Sequence, residues 1–130
     1  MKKVSECPVN QIIRDRGCSA ALKAVDDTLY AIGGKWKLQI VVALLSEPRR
    51  FNELQRTLGK ISARVLSNEL KDLEQNGFIY RNVDAEATPV IVQYELTEYS
   101  TSLSQLLLSM INWGEDHRKK IINDQFPVSD

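Results

Sequence analysis

The chain has 130 residues, of which 43% are hydrophobic, and it carries 17 basic and 17 acidic side chains. This length and apolar content predict one compact domain with a core of its own. No apolar run approaches the ~18–20 residues that span a membrane, and the N-terminus lacks the apolar core of a signal peptide. Two cysteines are too few for a disulfide scaffold. We therefore expect a cytoplasmic protein with no membrane partner.

The zero net charge conceals an asymmetry along the chain. Residues 35–81 hold nine basic and five acidic side chains, whereas residues 82–130 hold three and eight. A basic middle and an acidic end predict one surface that faces an anion and one that avoids it. Uneven solvation of surface helices is the alternative explanation.

Two helices are predicted after a polar N-terminal arm. Residues 1–19 have no clean period and are interpreted as an arm that holds at most one short helical turn. The helix predicted over about 20–32 rests on four apolar residues at helical spacing, Leu22, Val25, Leu29 and Ile32. It ends at Gly33 and Gly34, since glycine accepts the conformation of a helix C-cap. A second helix over about 36–45 is apolar on nearly all sides, so we expect it to be the central buried helix.

The next segment predicts two short helices joined by a tight turn. Leu54 and Leu58 belong to the first helix, which follows a short extended piece and is closed by Gly59. Ser62 is the predicted N-cap of the second helix, which ends near Asn76. That helix has an apolar face and an opposite polar, basic face, formed by Leu66, Leu70 and Leu73 and by Arg64, Asn68, Lys71 and Gln75.

Two strand-like runs, 78–83 and 90–97, predict a hairpin. A last helix occupies about 98–122, before a flexible tail at 123–130. The order of elements predicts an α+β, mostly α, winged helix-turn-helix fold in one domain over 20–122. The last helix is more apolar than a small domain needs, which predicts a homodimer. The predicted interface residues are Leu103, Leu106, Leu107, Met110, Ile111 and Trp113.

No constellation of residues supports catalysis. His117 is the only histidine, and the chain has no CxxC pair, Gly-rich phosphate loop or nucleophile elbow. The spacing of the two cysteines and His117 gives no support to a metal site. We expect no enzyme, no metal and no cofactor.

The chain does contain the features that DNA binding requires, a helix with a basic outer face and cations beside it. The helix after Ser62 has the polar, basic face that enters a major groove. Five cations accompany a single acid, Glu53, within residues 49–64 and would contact phosphates: Arg49, Arg50, Arg56, Lys60 and Arg64. The alternative from another class is a winged helix used only for protein contacts, which the zero net charge favours.

Short motifs give the chain a resemblance to a known family. The segments 32–36 (IGGKW), 49–54 (RRFNEL), 61–74, 77–81 and 94–97 (YELT), with Trp113-Gly114, resemble in this order the signature of HxlR-type regulators. The resemblance covers about residues 20–114. It implies a dimeric winged-helix repressor or activator whose two recognition helices read a pseudo-palindrome in double-stranded DNA, with dimerisation through the N- and C-terminal helices.

The resemblance also implies roles for individual residues. Arg49, Arg50 and Asn52 resemble residues that face the DNA backbone. The residues that resemble the DNA-facing positions of the recognition helix are Ser62, Arg64, Ser67, Asn68 and Lys71. Arginine and asparagine can read guanine and adenine edges there, while Ser62 and the helix-start amides suit phosphate.

Two features depart from the family pattern. The stretch 88–91 lacks the basic residue common at the wing tip, and Asp84 and Glu86 lie on its other side. Many members carry a Cys-Pro about a dozen residues before the GGKW motif, and some use it to sense oxidants or electrophiles. Here Cys7-Pro8 lies farther upstream, and Cys18 is nearer but lacks the proline. Cys7 is the better candidate for an oxidant or small-molecule response, and inert thiols are the alternative.

Overall fold

The computed structural model describes residues 8–125 as a mostly helical chain with one small sheet. The helices are α1 (Pro8–Arg16), α2 (Cys18–Ile32), α3 (Lys37–Ser46), α4 (Phe51–Leu58), α5 (Ala63–Gln75) and α6 (Ser104–Gln125). The strands are β1 (Ile79–Asp84) and β2 (Ile91–Leu96), and a 3₁₀ turn, Glu98–Leu103, precedes α6. This order confirms the predicted winged helix-turn-helix fold.

The N-terminal segment is more helical than the sequence pattern predicts. The nine-residue α1 replaces the expected arm, and α2 begins at Cys18 rather than near residue 20. Gly17, with a φ of 90°, separates the two helices. A hydrogen bond of 3.0 Å from Gln11 to Asp15, one turn apart, supports α1 despite its weak apolar period. Cys7 lies outside the described residues.

A tight elbow joins α2 to α3. The Gly33 amide donates to the Leu29 carbonyl oxygen over 2.7 Å. A Cβ atom at Gly33 would collide with that same oxygen. Gly34 follows with a φ of 95°, a conformation that side chains strongly disfavour. Both glycines are therefore required by the backbone at this elbow.

The core is built around α3. Ile40, Val41 and Leu44 are buried there, as expected for the central helix, whereas Val42 and Leu45 are exposed although they are apolar. The remaining core residues come from neighbouring elements and include Ile32, Leu54, Ile61, Phe78 and Ile79. One side of α3 is thus left open to solvent.

The hairpin is antiparallel, with Ile79 opposite Leu96 and Asp84 opposite Ile91. A two-hydrogen-bond bridge joins β2 to the chain before α4: the Arg49 amide donates to the Tyr94 carbonyl oxygen over 3.2 Å, and the Tyr94 amide donates back over 2.7 Å. The wing is therefore attached to the helical part through its backbone.

The last helix extends beyond the predicted boundary and reaches Gln125. Leu103 and Leu107 lie in the core of this chain, which removes them from the exposed face predicted for the interface. The other four predicted interface residues are exposed, namely Leu106, Met110, Ile111 and Trp113. Across residues 8–125, no helix has the length and apolar character needed to cross a membrane.

Candidate DNA-binding surface

The outer face of α5 is polar and basic because its inner face is fixed by three leucines. Leu66, Leu70 and Leu73 are all buried, as the periodicity predicts. This burial turns three predicted site residues to solvent, Arg64, Asn68 and Lys71, while Ser67 is half-buried at the edge. Within the described chain neither Arg64 nor Lys71 forms an ion pair, so both charges are available to an external anion.

Ser62 begins α5. Its Oγ accepts a hydrogen bond of 3.1 Å from the Val65 amide, which confirms the predicted N-cap. The hydroxyl hydrogen is still able to donate, and the positive end of the helix dipole lies beside it. The start of α5 can therefore attract phosphate.

Two acidic residues of α5 share one cation behind the helix, Lys37, the first residue of α3. Its Nζ lies 3.1 Å from Glu69 Oε2 and 3.4 Å from Asp72 Oδ2, and its side chain is only 12% exposed. Burial alone would lower the pKa of Lys37, but the hydrogen bonds and negative charges of Glu69 and then Asp72 outweigh it and raise that pKa above its ordinary value. The pairing offsets one of these two negative charges, and Arg64 and Lys71 are the exposed cations of α5.

Residues of α4 and the following turn add cations beside α5. Asn52, Arg56 and Lys60 are all exposed. Asn52 and Arg56 line a shallow polar depression that ends at Gly59. The turn itself is held by a hydrogen bond of 3.2 Å from Gln55 Nε2 to the Ile61 carbonyl oxygen.

Arg49 and Arg50 have different environments although they are adjacent. Every guanidinium nitrogen of Arg49 has a partner: Nε donates to the Ala43 carbonyl oxygen over 2.7 Å, one terminal nitrogen donates to Ser46, and the other lies 3.7 Å from Glu47. Arg49 therefore caps the end of α3, and we assign it to the fold rather than to the DNA-facing surface.

Arg50, in contrast, is about half exposed. Arg50 lines a polar depression between the start of α4 and the wing, together with Asn82, Asp84 and Gln93. Glu53 lies 3.9 Å from its Nε, a distance at which attraction is weak and the cation stays accessible.

The wing carries negative charge at its tip. Asp84 and Glu86 are exposed, and the Glu86 amide donates to Asp84 Oδ1 over 3.2 Å. Nearer the domain, Asn82 Nδ2 donates to Glu95 Oε2 over 2.6 Å. Any anion contact by the wing therefore belongs to its base, where Arg81 is exposed, and not to its tip.

The histidine and cysteine side chains of the described residues do not come together in a metal or catalytic site. Over residues 8–125, no three His, Cys, Asp or Glu side chains form a group that could hold a metal ion. His117 stacks on Trp113 with ring centroids 4.6 Å apart, on the exposed part of α6. Cys18 is an exposed free thiol at the start of α2.

A family model described as HxlR-like helix-turn-helix matches residues 31–122. The chain belongs to this family. Members of the HxlR-like family are helix-turn-helix transcriptional regulators, so this HxlR-like chain is not an enzyme. The matched range contains the whole surface described above, from Lys37 to the wing, and also most of α6.

Individual relatives agree with this assignment. The HTH-type transcriptional regulator YdeP of Bacillus subtilis is 39% identical over 97 residues, which cover 75% of each chain. The redox regulator HypR in its reduced form has a TM-score of 0.71 and 36% identity, covering 77% of this chain and 98% of its own. Quinone-bound YodB of B. subtilis has a TM-score of 0.60 and 30% identity, covering 72% and 98%. The HxlR-like fold is thus shared at high coverage.

Proposed function

We propose that this HxlR-like chain is a sequence-specific DNA-binding regulator in the cytoplasm, which binds a pseudo-palindromic operator as a homodimer with α5 in the major groove. The observation that supports this most is the two-sided character of α5. Three buried leucines fix its orientation, and Lys37 pairs with two of its acids, Glu69 and Asp72. The face that remains combines arginine, lysine and asparagine, the residues that read base edges and phosphates.

The proposed roles follow from position and exposure. Arg64 and Asn68 read base edges, and Ser67 and Lys71 contact the walls of the same groove. Phosphates are bound by the N-cap Ser62 and by exposed residues before α5, namely Arg50, Asn52, Arg56 and Lys60.

The homodimer rests on α6 and on the symmetry of DNA half-sites. From residue 108 onward the described part of α6 is exposed throughout, and Trp113 is 66% exposed. Large apolar surfaces of this kind usually mark interfaces, and two-fold pairing is their commonest form. A two-fold dimer would present its two α5 helices to half-sites about 34–36 Å apart.

A second candidate function is a winged helix that binds only proteins. The acidic wing tip, with Asp84 and Glu86 exposed, favours it because that surface repels phosphate. Selection of bound sequences from random duplexes separates the two functions. A regulator enriches an inverted repeat, and its affinity falls steeply with salt because bound cations displace counterions.

The matched comparison uses Lys71→Ala and Lys23→Ala, two exposed lysines on α5 and α2. We expect Lys71→Ala to reduce the slope of log affinity against log salt concentration by about one, and Lys23→Ala to leave that slope unchanged. Recovery of no sequence motif, together with equal behaviour of both variants, would favour the protein-only function. Sedimentation at micromolar concentration tests the dimer, since a 14.8 kDa species alone would contradict it.

Regulation by an oxidant or a small electrophile is also proposed. It is suggested by two relatives, one described as a redox regulator and one as quinone-bound. In this chain, Cys18 presents an exposed thiol at the start of α2, and Cys7 precedes α1. Oxidation beside a dimer interface could shift the two recognition helices relative to each other.

A further inference from the structure

A small pocket lies where the C-terminal half of α2 meets the residue before β1 and the 3₁₀ turn before α6. We call it the junction pocket and define it by six of its lining residues, Asp27, Thr28, Ala31, Phe78, Tyr99 and Ser102. Its volume is about 230 Å³, below the roughly 300–1,000 Å³ of pockets that take drug-sized ligands. An occupant of the junction pocket is therefore a small molecule, of one ring or two fused rings.

The inner wall of the junction pocket is aromatic and aliphatic. Phe78 is 4% exposed and stacks on Tyr99, with ring centroids 5.3 Å apart and ring planes inclined by 21°. Tyr99 itself is 62% exposed, so Phe78 covers one part of its ring and the rest is open to a ligand. The buried side chains of Ile32 and Leu103 complete this wall. Such a wall suits a flat aromatic ring that stacks with an offset or meets an edge.

The solvent side of the junction pocket supplies hydrogen-bond acceptors and one negative charge. Asp27 is exposed and forms no ion pair with any residue between 8 and 125. The Thr28 hydroxyl donates to the Ala24 carbonyl oxygen over 2.9 Å, so its oxygen can still accept a hydrogen bond. None of the lining residues is basic. An ammonium group, which only donates and carries a positive charge, matches these groups, and the ring of Tyr99 also attracts cations.

We propose that the junction pocket binds a small aromatic amine in its protonated form, and that this binding changes the affinity of the chain for DNA. The inference rests on the proposed function as a DNA-binding regulator and adds a reversible, non-covalent effector to it. Charge distinguishes this class of ligand from others of the same shape. Asp27 would repel an aromatic carboxylate, and an uncharged ring would leave the charge of Asp27 unused.

Hydrogen bonds connect the junction pocket to the end of α5. The Phe78 amide donates to the Leu73 carbonyl oxygen, in the last turns of α5, over 2.9 Å. Thr97 Oγ1 donates to the Gly77 carbonyl oxygen over 2.5 Å, and the Thr97 amide donates to the Phe78 carbonyl oxygen over 3.0 Å. A ligand between Tyr99 and α2 therefore contacts a residue that is bonded directly to the proposed recognition helix. It biases the position of α5 because its contacts depend on how α2 and this junction lie relative to each other.

The junction pocket and the apolar residues of α2 lie on different sides of that helix. At about 100° for each residue, Asp27 and Ala31 lie opposite Leu22 and Leu29, which are 64% and 60% exposed. Contacts made by the apolar side of α2 therefore leave the pocket open. Cys18 lies on the apolar side, so the pocket is also separate from the exposed thiol.

Calorimetric titration of the full-length chain with tryptamine, without DNA, tests the site. Asp27→Asn removes the charge and keeps the shape of the side chain, and Asp26→Asn is its matched control because Asp26 is an exposed neighbour that does not line the pocket. Ser102→Tyr obstructs the pocket from an exposed position, and Thr101→Tyr is the corresponding control outside it. Indole-3-acetate, which carries the same ring with a negative charge, is the control ligand.

We expect tryptamine to bind the wild type with a dissociation constant on the order of 100 µM. Binding should be about fivefold weaker for Asp27→Asn and absent for Ser102→Tyr, while both control variants behave like the wild type. Saturating tryptamine should change the affinity of the wild type for its selected operator at least fivefold. The operator should change the affinity for tryptamine by the same factor, because the coupling is reciprocal.

The inference is overturned if tryptamine shows no saturable binding at millimolar concentration, or if indole-3-acetate binds more tightly. Equal binding by Asp27→Asn and Asp26→Asn, or unchanged binding by Ser102→Tyr, would place the ligand elsewhere and also overturn it. Binding that leaves the operator affinity unchanged overturns the link to DNA. Binding that depends on Asp27, in a chain that enriches no DNA motif, supports the site and overturns the proposed function instead.

Discussion

The Nζ atom of Lys37 lies 3.1 Å from Oε2 of Glu69 and thereby joins the first residue of α3 to the middle of α5. The same nitrogen lies 3.4 Å from Asp72, one turn farther along α5. One cation behind the proposed reading helix therefore fixes that helix on the core and offsets part of the negative charge of two of its three acids, Glu69 and Asp72. Both effects can be tested by mutation of Lys37.

Replacing Lys37 by glutamine should weaken folding and DNA binding together. Two carboxylates lose their partner, one of them on the mostly covered side of α5, and we expect a loss of about 1–2 kcal/mol in the free energy of unfolding. DNA affinity should fall further because unpaired negative charge then lies beside phosphate. Denaturant unfolding and DNA titration measure the two effects. Lys23→Gln, which removes an exposed cation of α2 without a carboxylate partner in the described chain, should leave stability nearly unchanged.

The contribution of Lys37 to stability should disappear at high pH. Its pKa in the folded chain is raised above the ordinary 10.5, so folding favours the protonated form. The stabilisation is complete below the unfolded-state value and is lost as the pH rises through the folded-state value. The difference in unfolding free energy between wild type and Lys37→Gln should be constant up to about pH 10 and shrink above it. A difference that instead grows with pH would contradict the assignment.

Arg64→Ala should damage sequence recognition specifically. Arg64 is exposed in the first turn of α5, and loss of a bidentate base contact costs about 1–3 kcal/mol and relaxes specificity at one position. The measurement is the ratio of affinities for operator and random duplex. Arg56→Ala is the matched control, since an exposed arginine on α4 should weaken both duplexes equally. Equal loss of the specificity ratio in both variants would reject the assigned role.

Arg49→Ala should act through stability, unlike Arg50→Ala. Arg49 donates to the Ala43 carbonyl oxygen in a partly buried contact, and losing this charge-assisted hydrogen bond should cost about 1–2 kcal/mol. Thermal unfolding should shift down by roughly 5 °C. Arg50→Ala should retain the melting temperature and weaken binding to all duplexes. The reverse pattern would return Arg49 to the DNA-binding surface.

Oxidant sensitivity should depend on the cysteines. We expect a mild oxidant or a quinone to change the operator affinity of the wild type and to leave the Cys7→Ser, Cys18→Ser double variant unaffected. Single variants identify the responding thiol, with Cys7 the first candidate. An insensitive wild type would remove redox control from the proposal.

The sequence pattern predicts α5 well because everything that shapes it is local. Ser62 caps it and Leu66, Leu70 and Leu73 repeat at helical spacing, so both the helix and its outer face follow from one short window. The ion pairs of Lys37 cannot be predicted from such a window, because they depend on how α3 crosses α5, and the periodicity of a sequence does not give that crossing. The contacts of Arg49 with Ala43 and Tyr94 are likewise set by the fold and not by the local pattern, so its place on the DNA-binding surface stays a prediction.

The N-terminal helix and the interface illustrate the same limit. The segment of α1 has too few apolar residues for a clean period, and contacts one turn apart decide its conformation. An apolar face on α6 is visible in the sequence, but periodicity alone cannot show which of its residues enter the chain's own core and which stay exposed. Leu103 and Leu107 enter the chain's own core, and Met110 and Trp113 do not.

The glycine elbow between α2 and α3 has a mechanical consequence for the length of the operator. With 15 residues, α2 is about 22 Å long, so a tilt of about 10° at the elbow would move its far end by about 4 Å, more than the 3.4 Å rise of one base pair. A side chain at Gly33 would force such a tilt, because it would meet the Leu29 carbonyl oxygen. If α2 joins the two chains, the backbone at Gly33 fixes the angle between α2 and the rest of each domain. That angle then sets how many base pairs separate the two half-sites.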